Sequence, residues 1–133
     1  MSHTYAAHVR FSDVDVYGHV NNVKYFEYYQ EARIAFVLSL AGGRFDPDSS
    51  MRQVVARIDV DYKRPILFRP QPYTVETRVS GIGTSSYRLD CRIVDEAGTV
   101  YSTAEVAMVA FDTGTQGSRP LTDDERARLE GAR

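Results

Sequence analysis

Hydrophobic and polar positions along the chain form one helical block followed by a series of strand-like blocks. From Val23 to about Ala41, Tyr25, Tyr29, Ala32, Phe36 and Leu40 recur at three- or four-residue steps and build one apolar stripe, the period of an α-helix. Lys24, Glu27, Gln30 and Glu31 give its start a polar face. Ile34 to Leu38 is apolar nearly all round, the pattern of a helix buried on several sides. Gly42-Gly43 supplies a stop, and Asn22 is the expected N-cap, its side-chain oxygen accepting a free N–H of the first turn. Ahead of the helix, Tyr5 to Phe11 reads as a strand with partial alternation.

After a loop through Pro47 the period changes to two. Val54, Ala56, Ile58, Val60 and Tyr62 alternate with Arg57, Asp59, Asp61 and Lys63, a strand with one wet face apart from Val55. Pro65 and Pro70 bracket a connection. Tyr73, Val75, Thr77 and Val79 predict a second strand of this block, and Gly81 to Ser85 a turn. Tyr87, Leu89, Cys91 and Ile93 predict a third strand, closed by a turn at Asp95 to Gly98. The fourth, Val100 to Phe111, is apolar on both faces in its second half and is expected at the centre of a sheet. Thr122 to Leu129 reads as a short charged helix, capped by Thr122 with Glu125 at its third position. One long helix followed by a block of strands predicts an α+β fold, with an antiparallel sheet curled around the helix.

The chain has 133 residues, the length of one domain, expected over 1–133 without a linker or repeat. Sixteen Lys and Arg nearly balance eighteen Asp and Glu, so no basic excess meets nucleic-acid phosphates, and no nucleic-acid partner is expected. A single cysteine, Cys91, excludes an internal disulfide and fits a reducing compartment; as part of an apolar strand face it reads as inert packing. The start of the chain carries no basic stretch followed by an apolar one, and no run approaches the ~20 apolar residues of a membrane span. A cytoplasmic location without membrane association is expected. His3, His8 and His19 are scattered and no CxxC or HExxH spacing occurs, so no metal and no cofactor is expected.

The unusual segment is Asp13 to Asn22, which gathers two carboxylates, His19, Gly18 and two asparagines ahead of a helix. A helix N-terminus offers unpaired N–H groups and partial positive charge. A carboxylate beside it can attack a carbonyl or activate water against it, which is the equipment of an acyl-transfer site. The same residue types also populate loops simply because they bond their own backbone.

Phe11-Ser12-Asp13-Val14-Asp15-Val16-Tyr17-Gly18-His19-Val20-Asn21-Asn22, followed by Tyr25 and by Glu31-Ala32-Arg33, resembles the signature of the hotdog-fold acyl-CoA thioesterases, most closely their 4-hydroxybenzoyl-CoA thioesterase-like branch. Asp61 to Ile66, Gly83 to Tyr87 and Ala104 to Asp112 resemble later segments of the same family, so the likeness runs over nearly the whole chain in register. The resemblance implies hydrolysis of an acyl-CoA thioester to acid and CoA. Asp15 would be the catalytic carboxylate, as nucleophile or general base. Backbone N–H groups around Asn22 and Val23 would be the oxyanion donors, with Asn22 orienting water or capping the helix. Gly18 would allow close approach, with His19 and Tyr25 beside the substrate. Thr84, Ser85 and Ser86 would contact the coenzyme A arm, with Lys63, Arg64 and Arg88 as candidates for its phosphates. It also implies a homodimer or homotetramer with sites between subunits. Two alternatives stay open: a thioesterase acting on acyl-carrier protein, and a non-catalytic acyl-CoA-binding module.

Overall fold

The computed structural model describes residues 2–43 and 52–133. Strand β1 spans His3–Ala7, a single 3-10 turn Phe11–Asp13, helix α1 Asn22–Leu40, and strands β2 Gln53–Tyr62, β3 Tyr73–Ile82, β4 Ser86–Val94 and β5 Val100–Asp112. A two-residue strand β6, Gly117–Ser118, and helix α2, Asp123–Gly131, complete the chain. The expected loop through Pro47 lies outside the described residues.

All pairings are antiparallel and the main order is β1-β3-β4-β5-β2, with β6 on β5. The expected central strand is therefore interior, between β4 and β2. α1 lies on the apolar face. Its Tyr29, Ala32 and Phe36 pack in one core with Val75, Val79, Leu89, Ile93 and Val106. Where the core is polar it is paired. The Tyr29 hydroxyl donates to Ser102 Oγ at 2.7 Å, and Ser102 donates on to Asp61 O at 2.8 Å. The outer face carries ion pairs instead, among them Arg78–Asp90 at 3.3 Å and Arg88–Glu105 at 3.1 Å. Such exposed pairs contribute about 0–1 kcal/mol each and chiefly keep the face wet.

Three expectations need correction. β1 ends at Ala7 rather than Phe11, because Phe11–Asp13 turns tightly around the Asp13 side chain. The N-cap is Asn21, not Asn22: Asn21 Oδ1 accepts from Val23 N–H at 3.0 Å while Lys24 N–H already reaches Asn21 O at 2.8 Å. The second half of α1, expected to be buried on several sides, leaves Ile34 46% exposed on one of them. The alternation of β2 is broken by a bulge between Val55 and Arg57, which leaves Val54 and Val55 about two-fifths exposed on an edge strand. The stop of α1 is as expected. Gly42 and Gly43 take positive φ, and their N–H groups return to Ser39 O and Leu38 O at 3.3 and 2.7 Å. α2 has the predicted reciprocal cap between Thr122 and Glu125.

Candidate active site

The loop between β1 and α1 is framed from within. Asp13 is fully buried, and its carboxylate accepts from Arg10 N–H at 3.0 Å, Arg10 Nε at 3.3 Å and the Tyr28 hydroxyl at 2.7 Å. Burial works against its charge, but these donors and the Arg10 guanidinium outweigh burial and hold its carboxyl below the ordinary range. Asp13 O accepts Asn21 N–H at 2.8 Å, and Val14 pairs with Val20, so the two ends of the loop are tied together.

Asp15 sits at the tip of this small hairpin. Its N–H donates to His19 O at 2.9 Å, and Gly18 N–H donates to Asp15 O at 3.1 Å. Gly18 takes φ +80, where a side chain would be strained, so glycine is required by the turn itself. The Asp15 carboxylate is exposed and takes Tyr17 N–H at 2.9 Å and, at longer range, His19 N–H at 3.4 Å, both on Oδ1. Oδ2 has no hydrogen-bond partner among the described residues. Next to the hairpin, Asn22 opens α1. Its N–H takes part in none of the loop's hydrogen bonds, whereas Val23 N–H is already taken by Asn21 Oδ1. Of the two expected oxyanion donors, Asn22 N–H is therefore the one without a hydrogen-bond partner among the described residues.

The loop also leans on the segment after β2. Val20 N–H donates to Ile66 O at 2.8 Å, and His19 forms a bridge with Leu67. Tyr25 places that segment. It is buried to 3% exposure, accepts Ile66 N–H at 3.2 Å, donates to Arg64 O at 3.3 Å and meets the Tyr62 ring edge-on. The Tyr25 hydroxyl is thereby committed to the 64–66 backbone, and Tyr25 props that segment against the loop. Lys63 and Arg64 stand at the same end of the sheet, both with backbone N–H groups on Tyr101 O and with exposed side chains that make no ion pair among the described residues.

Thr84, Ser85, Ser86 and Arg88 are not brought to this loop within one protomer. They lie at the Ile82 end of β3, whereas the loop adjoins the Tyr73 end, where the Tyr73 hydroxyl donates to Leu67 O. A strand of this length separates the two ends by roughly 30 Å. Arg88 faces the outer side and is paired with Glu105. The buried Cys91 thiol is pushed up to about 11 by burial, and it stays a packing residue beside Thr77.

Among the framing residues, Asn21, Tyr28 and Ile66 were not legible as such. Asn21 was adjacent to the expected cap. Nothing local marks Tyr28, whose partner lies fifteen positions earlier.

Residues 9–129 match the Thioesterase-like superfamily. The chain belongs to this superfamily. Its fold is the hotdog fold of the thioesterase structures it resembles. A predicted thioesterase from Bacillus stearothermophilus superposes with a TM-score of 0.86 at 28% identity, over 99% of this chain and 96% of that one. A thioesterase from Thermus thermophilus, solved with coenzyme A and zinc, gives a TM-score of 0.82 at 31% identity, over 97% and 92%. In sequence, the long-chain acyl-CoA thioesterase FadM of Escherichia coli is 28% identical over 123 residues, 92% of each chain. Among the described residues, no helix of this superfamily member is long and apolar enough to cross a membrane.

Proposed function

We propose that this thioesterase-superfamily chain hydrolyses acyl-CoA thioesters, with Asp15 as the catalytic carboxylate and Asn22 N–H as an oxyanion donor. The observation that carries the reading is the juxtaposition of an exposed carboxylate and a helix N-terminal N–H, held in one hydrogen-bonded frame, with one carboxylate oxygen and that N–H uncommitted among the described residues. The N–H and the helix dipole stabilise charge that develops on the thioester oxygen, and the carboxylate supplies the attack, directly or through water. The coenzyme A complex of the Thermus relative and the activity of FadM support the substrate class.

The reading includes a second copy of the chain. β2 is a ten-residue edge strand with half-exposed Val54, Val55 and Tyr62, and its Tyr62 hydroxyl donates to Asn22 O at 2.9 Å at the start of α1, which carries a bare flank of Val23, Phe26 and Ile34. Tyr28, on the other flank, meets the segment that follows β1, so the bare flank faces the β2 side. An exposed edge of this length invites pairing with another strand. Antiparallel pairing of β2 with its counterpart sets the Tyr62 end of one protomer against the Gln53 end of the other. The β3–β4 turn lies at that Gln53 end, since Gln53 pairs with Ala110 and Ala110 N–H donates to Ser85 O at 2.8 Å. Thr84, Ser85 and Ser86 of one copy thereby come beside the Asp15 loop, Lys63 and Arg64 of the other. Two groups some 30 Å apart in a protomer then serve one substrate, the reacting end and the phosphate arm.

The test is Asp15→Asn, assayed by thiol release from a panel of acyl-CoA esters. Turnover should fall about 10²–10⁴-fold with the fold intact, the range for loss of a positioned base. Near-parental turnover in a folded variant would overturn the assignment.

A further inference from the structure

The β3–β4 turn owes its shape to the C-terminal segment. Its consecutive carbonyls are all tied back: Gly83 O accepts from the Arg126 guanidinium at 2.8 Å, Thr84 O from Leu121 N–H at 2.9 Å, and Ser85 O from Ala110 N–H at 2.8 Å. Gly83 N–H closes the turn on Ser86 O at 2.7 Å. With the carbonyls directed into the protein, the Thr84 and Ser85 N–H groups are left over, and among the described residues neither enters a protein hydrogen bond. Successive outward N–H groups favour an anion, whereas a carbonyl swung outward would repel one.

Arg126 can hold Gly83 because the strap on which it stands is anchored elsewhere. Glu125 is fully buried and takes the Arg119 guanidinium at 2.6 and 3.0 Å and Thr122 N–H at 2.9 Å. Burial opposes the Glu125 charge, but Arg119 and Thr122 overcome it and keep the carboxyl below its ordinary value. Arg119 also donates to Arg52 O at 3.2 Å and Phe111 O at 3.3 Å. The strap from Arg119 to Arg126 thus ties the segment entering β2 to the turn.

Resting on the acyl-CoA reading above, we infer that Arg126 is a positioning residue for the phosphate arm: it holds the Gly83 carbonyl inward so that Thr84 and Ser85 present their donors to the ligand. Arg126 does not itself touch the phosphates. The turn it shapes is the part that enters the partner's site.

The experiment compares the parent, Arg126→Ala and Arg128→Ala on an acyl-CoA and on the matching acyl-pantetheine. Arg128→Ala is the control for losing an arginine from α2, since Arg128 bonds Asp124 and Leu40 O and, among the described residues, makes no hydrogen bond to the turn. Arg126→Ala should raise KM for the CoA ester about 5-fold, the scale of one exposed hydrogen bond. Its kcat and its KM for the pantetheine ester should stay parental, and the dependence of KM on ionic strength should keep the parent's slope. Arg128→Ala should match the parent on both esters. An unchanged KM for the CoA ester, or an equal rise on both esters, would overturn the inference. A flattened salt slope would place Arg126 against the phosphates and overturn the positioning role. A parent with equal KM for the two esters would remove the phosphate reading of the turn and this inference with it, while leaving hydrolysis at Asp15 standing.

Discussion

Asp13→Asn isolates the frame of the candidate active site from its chemistry. The change preserves volume and removes a fully buried charge that takes two Arg10 nitrogens, at 3.0 and 3.3 Å, and the Tyr28 hydroxyl at 2.7 Å on one oxygen, with the Arg10 guanidinium 3.0 Å from the other. An amide can present only one oxygen, so its NH2 must face one of these donors. A hydrogen bond to a charged group is worth about 1.5–3 kcal/mol, and removing one partner of a buried pair costs about 3–5 kcal/mol. Arg10 is 59% exposed and can turn to water once unpaired, which trims the upper figure. The expected loss is about 2–4 kcal/mol at neutral pH, set by the hydrogen-bond scale. Because the folded-state pKa lies below the unfolded one, this stability is fully present above the unfolded value of about 3.9 and is lost as pH falls through the folded value. Urea unfolding of parent and variant at a series of pH values reads both effects. The gap should be constant from neutrality down to about pH 5 and should close progressively below about pH 4. A Tyr28→Phe variant, and the double variant, should show coupling between the two residues. A loss below about 0.5 kcal/mol at neutral pH, within the range of ordinary surface substitutions, would refute the frame. So would a gap that ignores acid.

Two further outcomes follow from burial and exposure. The Cys91 thiol, raised to about 11 and buried, should resist a thiol reagent at pH 8 in the folded protein and react on unfolding; stoichiometric reaction of the native chain would show that strand β4 opens. Ile34→Glu, on the bare flank of α1, should lower both sedimentation mass and turnover, and a fully active monomer would remove the second copy from the site.

The elements of the fold were legible because periodicity and punctuation are local. The stripe from Tyr25 to Leu40, the Gly42-Gly43 stop and the Thr122–Glu125 cap each depend on residues a few positions apart, and each formed as its spacing dictates. The Asp13–Asn22 loop stood out for the same reason: so many polar residues ahead of one helix is a local signal. Which side chains frame that loop is decided by contacts across the chain. Asp13 is committed because Tyr28 and Arg10 converge on it, and Tyr25 because the Arg64–Ile66 backbone folds over its hydroxyl. The shift of the cap from Asn22 to Asn21 turned on a single residue of register, which two adjacent asparagines cannot specify. The outward edge of β2, the bare flank of α1 and the separation of Thr84 from Asp15 come from strand order. Alternation reports which face of a strand is dry, but it carries no information about which strand lies next to it. Pairing partners, and the edges they leave open, are therefore decided only when the sheet assembles.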